Sequence, residues 1–550
     1  MVQRAKKMKA INRITISKQL FLDILISVGL SLLITSPYFL ETVSSNAYFA
    51  FDIVEAFLMP QTKSVGVLAL LIYLMTMVGR KYPICPRWFV LILLALVFLF
   101  AFRGFLTTAG INPQAMTDIV LKRLLFFNQN WLDPITFKRV VVGIAFGFLL
   151  IFLPRYIYNT EKLFKAFAAF GWALGFIAIY RSAPVIATDI DYAISHQQTI
   201  TANGASANPV DKRVVWVIFD ELDYARLFEN RFPNLILPNI DRLRSQSVHA
   251  VNAVSPAWST AISIPALTTG IPLVGTEPNG PGGLTLRKAD GEVVDWKATS
   301  NVFTRLSNDG KKSSILGYYH PYCSIFKHAN PCVSYASRSY PVWWWSIWNG
   351  LRAIPSIEFL FGRDAWIREG ANNATHLQLN AINKYISDLS TSLTFFHFYF
   401  PHIPGHRDST PPATGSDVLP GYEQNLLLVD QTLGNIVTQL EGHANSQDIL
   451  LIVSSDHWLR TKLMSEDMSP DLFKWEYGNG KTEVQRIPLL IRRIQEKSEY
   501  IIKEPLSTIH TTLLIEDFLG GRIREHANIA RWWLNKPYVE PFVPERYKVN

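Results

Sequence analysis

The sequence predicts a two-part protein: an α-helical transmembrane bundle of about five spans, then an α/β domain with a largely parallel central sheet. Three observations predict it. Apolar residues crowd ahead of residue 185, in runs near the length that crosses a bilayer. From residue 213 the pattern changes to short valine-rich runs that alternate with stretches of helical spacing. Several of those runs end in Asp or His.

Hydrophobic residues make up 49% of the chain and charged residues only 18%, so the apolar excess needs a place to go. The 550 residues suffice for two or three domains with sizeable cores. A net charge of +9 raises nucleic acid as a partner. No Lys/Arg block is interleaved with aromatics, so nucleic acid is not expected. Basic residues instead flank apolar segments, as Arg4, Lys6, Lys7, Lys9 and Arg13 do. That placement suits membrane orientation and attraction to anionic lipid.

The candidate spans lie near residues 19–40, 64–79, 88–103, 139–154 and 164–181. The third, WFVLILLALVFLFAF, has no polar face to present to water, which argues against a buried helix of a soluble protein. The first is too long and too poorly terminated for a cleaved leader. With the N-terminus inside, inner segments carry about twelve Lys/Arg and outer loops about six. An odd number of spans then delivers the rest of the chain outside. The expected location is therefore a multi-pass protein of a bacterial inner or plasma membrane, with its catalytic domain outside the cytoplasm. Expected limits are 1–185 for the membrane part, 186–212 for a linker and 213–550 for the catalytic domain. The linker holds HQQTITANGASANPVDK, which is polar, small and rich in turn formers.

In the second part, VVWVIFDE reads as a buried strand with acids at its carboxyl end. LPNIDRLRSQS follows as a helix. SSILGYY at 313–319, LTFFHFYF at 393–400, DILLIVSS at 448–455 and IPLLIRR at 487–493 are further strands. YEQNLLLVDQTLGNIVTQLEG and STIHTTLLIEDFLGG carry helical segments. An open, largely parallel sheet covered on both faces binds ligands at the carboxyl ends of its strands. Of three cysteines, Cys85 lies in a short basic loop, while Cys323 and Cys332 flank a polar stretch. The latter two either close a short loop as a disulfide or stay free thiols. No Cys/His zinc spacing is present.

Asp220 with Glu221, Asp456 with His457, and His402 with His406 each follow a strand with ligand-type side chains. Such oxygen and nitrogen donors suit zinc or manganese, and also calcium or magnesium. A strand-end Asp is often only a cap or turn former, so no segment suffices alone. In SPAWSTAISIPALTTG, Thr260 precedes a helix whose N-terminus favours an anion, and metal coordination can activate its hydroxyl. Ser259 or Thr260 as a plain helix cap is the other reading.

Taken together, these segments resemble the alkaline phosphatase superfamily, in its sulfatase-like branch. In that family a strand ends in an acidic metal ligand, and a Cys, Ser or Thr nucleophile lies ten positions before the Gly of a closing TG. Thr260 lies ten before Gly270. Ser455–Asp456–His457 matches the family's SDH, and GNGKTEVQRIPLLIR resembles its GK…RVP stretch. The resemblance covers roughly residues 213–521. Spans ahead of such a domain resemble the membrane-anchored phosphoethanolamine and phosphoglycerol transferases. The resemblance implies Asp220, Thr260, Asp456 and His457 as metal ligands, with Glu221 as a ligand or as a group that orients one. It implies Thr260 as nucleophile, His402 and His406 on the substrate's phosphate or leaving group, and Lys481 neutralising the transferred group.

Some residues depart from the pattern. Sulfatases with a modified nucleophile need Cys or Ser followed by x-Pro-x-Arg, and the chain reads Thr260-Ala-Ile-Ser-Ile. His402 stands where two-metal phosphodiesterases have Asp, and Trp458 replaces the usual Gly after SDH. The implied function is metal-dependent transfer of a phosphoethanolamine- or phosphoglycerol-like group from a membrane lipid to a glycan or lipid acceptor. A membrane-bound hydrolase or phosphodiesterase is the alternative, and a non-catalytic scaffold that kept the fold is the second. Trp343, Trp344, Trp345 and Trp348 would either meet the bilayer or pack in a core.

Overall fold

The computed structural model describes pieces of residues 20–180 and most of residues 209–545, the latter without 233, 280–282, 336–362, 404–420, 444–447, 462–484 and 524. The chain divides into two compact units, Met1–Thr188 with Ser339–Ala353, and Asp189–Arg338 with Ile354–Asn550.

In the first unit, helical pieces cover 20–32 and, with gaps, 65–74 and 165–180. Leu30, Ile72 and Ala168 are buried together. A Cβ on Gly29 would stand 2.5 Å from the Ala168 carbonyl oxygen, so the glycine permits the close approach of two backbones. Phe21, Phe170, Phe176, Ile179 and Tyr180 are exposed.

The expected five-span bundle is corrected here. Among the described residues, no helix is long and apolar enough to cross a membrane. A crossing needs about 20 apolar helical residues, more than any described helix supplies. An apolar run in sequence sets composition, not the length of the helix it forms. The multi-pass location, and the outside placement derived from it, falls with the bundle. The expected spans at 88–103 and 139–154, residues 186–208 of the expected linker, and the tryptophans at 343–348 lie outside the described residues, while Lys212 at the linker's end already belongs to a strand.

The second unit opens with β1 (Lys212–Asp220), α1 (Pro238–Arg244), β2 (Val248–Ala250), β3 (Ala253–Val254) and α2 (Thr260–Thr269). β4 (Leu273–Pro278), β5 (Leu284–Lys288) and β6 (Val293–Asp295) form a small antiparallel sheet. Next come α3 (Val302–Asn308), β7 (Ser313–Tyr318), β8 (Cys332–Tyr335), α4 (Arg363–Ser387) and β9 (Leu393–Pro401). α5 (Gly421–His443), β10 (Asp448–Ser455), β11 (Leu489–Arg493), β12 (Tyr500–Ile502), β13 (Leu506–Ser507), α6 (Thr511–Leu519) and α7 (His526–Leu534) complete it.

The main sheet has eight strands in the order β12-β2-β11-β10-β1-β9-β7-β8. From β10 to β8 every pairing is parallel, so those carboxyl ends share one edge. β11 runs antiparallel to both β10 and β2, which makes the sheet mixed. Apolar content marks IPLLIRR as a strand but does not encode its direction.

β1 is central, and all its residues from Arg213 to Asp220 are buried. Its run of β-branched and aromatic residues suits a strand covered on both faces. The buried Arg213 guanidinium donates to the Ile386 and Tyr385 carbonyls at 2.7 and 2.8 Å, which satisfies the carbonyl end of α4. On one face, Val215, Val217 and Phe219 pack with Leu426, Val429, Leu433, Ile436 and Leu440 of α5. The helical spacing of these α5 residues turns one apolar stripe to the sheet. Cys323 and Cys332 form a disulfide with Cα atoms 5.6 Å apart.

Candidate active site

Parallel pairing places four strand ends side by side. Phe219 pairs with Ser455, so Asp220 and Asp456 follow at the same level of neighbouring strands. Asp220 also stands level with Pro401, just before His402. β7 brings Tyr319 and His320 to the same edge. Glu221 and Tyr319 have φ of 61° and 75°, uncommon for bulky residues. Both sit where a strand leaves the sheet.

The Glu221 turn is held from several sides. Its N–H donates to Asp456 Oδ1 at 3.2 Å, and its carbonyl accepts from the Tyr422 hydroxyl at 2.7 Å. The Leu222 N–H donates to Ser455 Oγ at 2.8 Å. A left-handed residue persists when its surroundings over-determine it in this way.

Asp456 divides its two oxygens between structure and site. Oδ1 accepts from the backbone N–H of Glu221 and of His457. Oδ2 is buried with no hydrogen-bond partner, as are Asp220 Oδ1 and Glu221 Oε2. Burial pushes Asp456 up to about 7. Burial, with Asp456 and Glu221 adding, also pushes Asp220 well above its ordinary range. His457 Nδ1 lies 3.0 Å from the Trp458 carbonyl oxygen, which can only accept. Nδ1 therefore carries the proton, and Nε2 turns its lone pair inward. Burial, then the Arg460 charge, keeps this imidazole neutral.

Thr260 is the first residue of α2 and is buried. Its Oγ1 lies 3.2 Å from His457 Nε2. His457 Nε2 lies 3.4 Å from Asp456 Oδ2 and 3.5 Å from Asp220 Oδ1. Ser263, one turn along, ties α2 to the Asp456 carbonyl at 2.5 Å. His320 Nε2 holds the Thr260 carbonyl oxygen at 3.1 Å from the other side.

The residues present fit a cation. Candidate ligand atoms of Asp220, Asp456 and His457 all lie within 4.8 Å of one another and are buried. A tetrahedral site with bonds of ~2.1 Å has edges of ~3.4 Å, which the separations above match. Buried carboxylate oxygens without partners cost several kcal/mol unless a positive charge meets them.

Glu221 stands apart from this set. Its Oε1 accepts from Arg460 Nε at 2.9 Å and Nη2 at 2.7 Å. His402 sits at the rim, its side chain 24% exposed and its Nε2 3.8 Å from Glu221 Oε2. His406 and Lys481 lie outside the described residues. Sequence reasoning missed Arg460 and His320. Arg460 follows the SDH segment by three residues, and His320 directly follows the strand read as SSILGYY. Polar residues beside strand ends were the available signal.

A mixed α/β sheet whose strand ends gather Asp220, Thr260, Asp456 and His457 defines a class: a sulfatase-like enzyme. The family described as sulfatase matches residues 212–519, and the chain belongs to that family. Enzymes of this family use divalent metals, in keeping with the Asp/His cluster. No curated protein matches the chain. Among solved structures, a phosphonate monoester hydrolase of Agrobacterium radiobacter is similar at 14% identity, covering 57% of this chain and 74% of that one, with a TM-score of 0.35. A sulfatase from Pseudoalteromonas sp. is 16% identical, covering 60% and 70%, with a TM-score of 0.37. A protein in the alkaline phosphatase superfamily from Vibrio parahaemolyticus is 13% identical, covering 60% and 72%, with a TM-score of 0.35.

Proposed function

We propose that this enzyme cleaves a phosphate ester in two displacements at Thr260, with Asp220, Thr260, Asp456 and His457 as the residues that would hold one divalent ion, zinc or manganese by donor type. The supporting observation is the 3.2 Å approach of Thr260 Oγ1 to His457 Nε2, inside a buried cluster with unpartnered carboxylate oxygens. When bound, the ion supplies positive charge for the transferring oxygens.

Thr260 Oγ1, its proton lost to solvent, forms a bond to phosphorus while the bond to the leaving oxygen breaks. The departing alkoxide takes a proton from water or from His402 at the rim. Water or an acceptor hydroxyl then attacks phosphorus, gives up its proton, and releases Thr260. Ser263 and His320 fix the start of α2, so the hydroxyl meets the ester in one orientation. Phosphate is favoured over sulfate because Ile262 and Ile264 stand where the modified-nucleophile motif needs Pro and Arg.

The finer reading is transfer of a phosphoethanolamine- or phosphoglycerol-like group from a lipid to a glycan or lipid acceptor. The ordered motifs and the GNGKTEVQRIPLLIR segment support it, with His402, His406 and Lys481 as contacts to the transferred group. The test is turnover of a model phosphodiester and a model sulfate ester by wild type and Thr260→Ala. Cleavage of the diester that vanishes in the variant supports the reading. Retained cleavage, or a preference for the sulfate ester, rejects it.

A further inference from the structure

Arg460 and its partner Glu221 are charged residues at the site that the ester chemistry above does not use. Arg460 lies three residues past His457, on the loop that leaves β10. Its guanidinium grips one oxygen of Glu221 with two N–H groups, at 2.9 and 2.7 Å. It also rests over the Trp258 ring at 5.5 Å, next to the N-terminus of α2. Its side chain is only 13% exposed. Asp220 and Asp456 both act on it electrostatically.

Charge decides what this arrangement does. Asp220, Glu221 and Asp456 bring three carboxyl groups into one buried space. Among the described residues one guanidinium faces these three carboxyl groups, which leaves two of them to meet one divalent ion. Glu221, with one oxygen committed to Arg460, is kept out of the ligand cluster formed by Asp220, Asp456 and His457. Ile264 occupies the position on α2 where the modified-nucleophile motif would supply an arginine, so the guanidinium arrives from β10 instead.

We propose that Arg460 is a positioning residue that acts as a built-in second cation: it holds Glu221 away from the divalent ion, and its positive charge draws the anionic ester to the Thr260 end of the site. This rests on the functional reading above. It adds a group that sets both ion affinity and anion affinity, in opposite directions. Removing the guanidinium leaves three negative charges around the ion, so the ion binds more tightly. The same change removes attraction for an anion, so the anion binds more weakly. A loosened fold would weaken both.

The experiment uses the full-length chain stripped by chelator. Manganese alone, then inorganic phosphate added to the manganese-loaded protein, are titrated calorimetrically into wild type, Arg460→Gln, Arg460→Lys and the double variant Glu221→Gln/Arg460→Gln. The expected result for Arg460→Gln is manganese affinity at least about tenfold higher and phosphate affinity at least about tenfold lower. For scale, tenfold is ~1.4 kcal/mol. Arg460→Lys keeps the charge and stays within a few-fold of wild type on both. The double variant leaves no orphaned carboxylate. It returns manganese affinity close to wild type while phosphate stays weak. If Arg460→Gln weakens both ligands or moves neither, or if the double variant regains phosphate, the proposal is overturned. A wild-type chain that binds no manganese overturns the functional reading and this proposal with it. A wild type that binds manganese beside an unchanged Arg460→Gln overturns this proposal alone.

Discussion

Replacing Asp456 by Asn in chelator-stripped protein is expected to raise stability, although it removes a residue the site needs. Asp220 and Asp456 ligand atoms lie within 4.8 Å of each other in the buried cluster. At a pH where both are ionised, above the raised range of this pair, two unit charges at that distance repel by about 3 kcal/mol at an effective dielectric of ~20. The exchange removes that repulsion and keeps the structural part of the side chain. Asn Oδ1 still accepts from the Glu221 and His457 N–H groups. The new amide can donate toward Asp220 Oδ1, which has no partner. A gain of about 3 kcal/mol corresponds to a rise in Tm of roughly 6–12 °C for a domain of a few hundred residues. With manganese added at about 1,000 times Kd, the wild type should gain ~4.1 kcal/mol and overtake the variant, which gains little. Differential scanning calorimetry of both proteins, with and without the ion, reads all four values. A stripped variant less stable than stripped wild type refutes the charge-cluster argument. So does an equal ion-induced shift in both.

Three further outcomes follow from the same geometry. Thr260→Ala should lose at least about 10³-fold in turnover, as loss of a nucleophile does, while manganese affinity measured calorimetrically falls far less; equal losses would make Thr260 only a ligand. Leu433→Ala, in the buried stripe of α5, should cost 2–5 kcal/mol in urea unfolding, a typical cavity penalty; a cost below 1 kcal/mol would mean that this face is loosely packed. Burial lowers His320 and His397 to about 3 and His249 to about 4. Unfolded, each would take up a proton near its ordinary 6.5, so their stability is present above that pH and lost as pH falls toward 3–4. Urea midpoints taken between pH 7 and pH 4 should fall, and His397→Asn should flatten the slope.

Much of the second unit was legible because its strands announce themselves. VVWVIFDE ends in acids and DILLIVSS runs straight into Asp456, and they form neighbouring parallel strands with Asp220 and Asp456 level. α5 was legible from its apolar spacing, and Thr260 from its place ahead of a helix that closes in Thr-Gly. Arg460 and His320 escaped because their meaning lies in long-range partners, Glu221 and the Thr260 carbonyl, which no local pattern encodes. α4 was missed for a different reason. Its polar sequence, RDAWIREGANNATHLQLNAINKYIS, shows no strong apolar stripe. The antiparallel direction of β11 is likewise invisible in IPLLIRR. Composition misled most in the first unit, where apolar runs implied spans and the described helices are too short to cross a bilayer. Spacing alone left the pairing of Cys323 with Cys332 open, and the fold closed it.

The central claim is that Asp220, Thr260, Asp456 and His457 converge on one ion. Anomalous scattering from crystals grown with manganese tests this most directly. The account predicts a single strong peak at ~2.0–2.3 Å from a side-chain atom of each of the four residues, with Glu221 still on Arg460. A peak ligated by Glu221 in place of Thr260, or no peak at this strand edge, would contradict it.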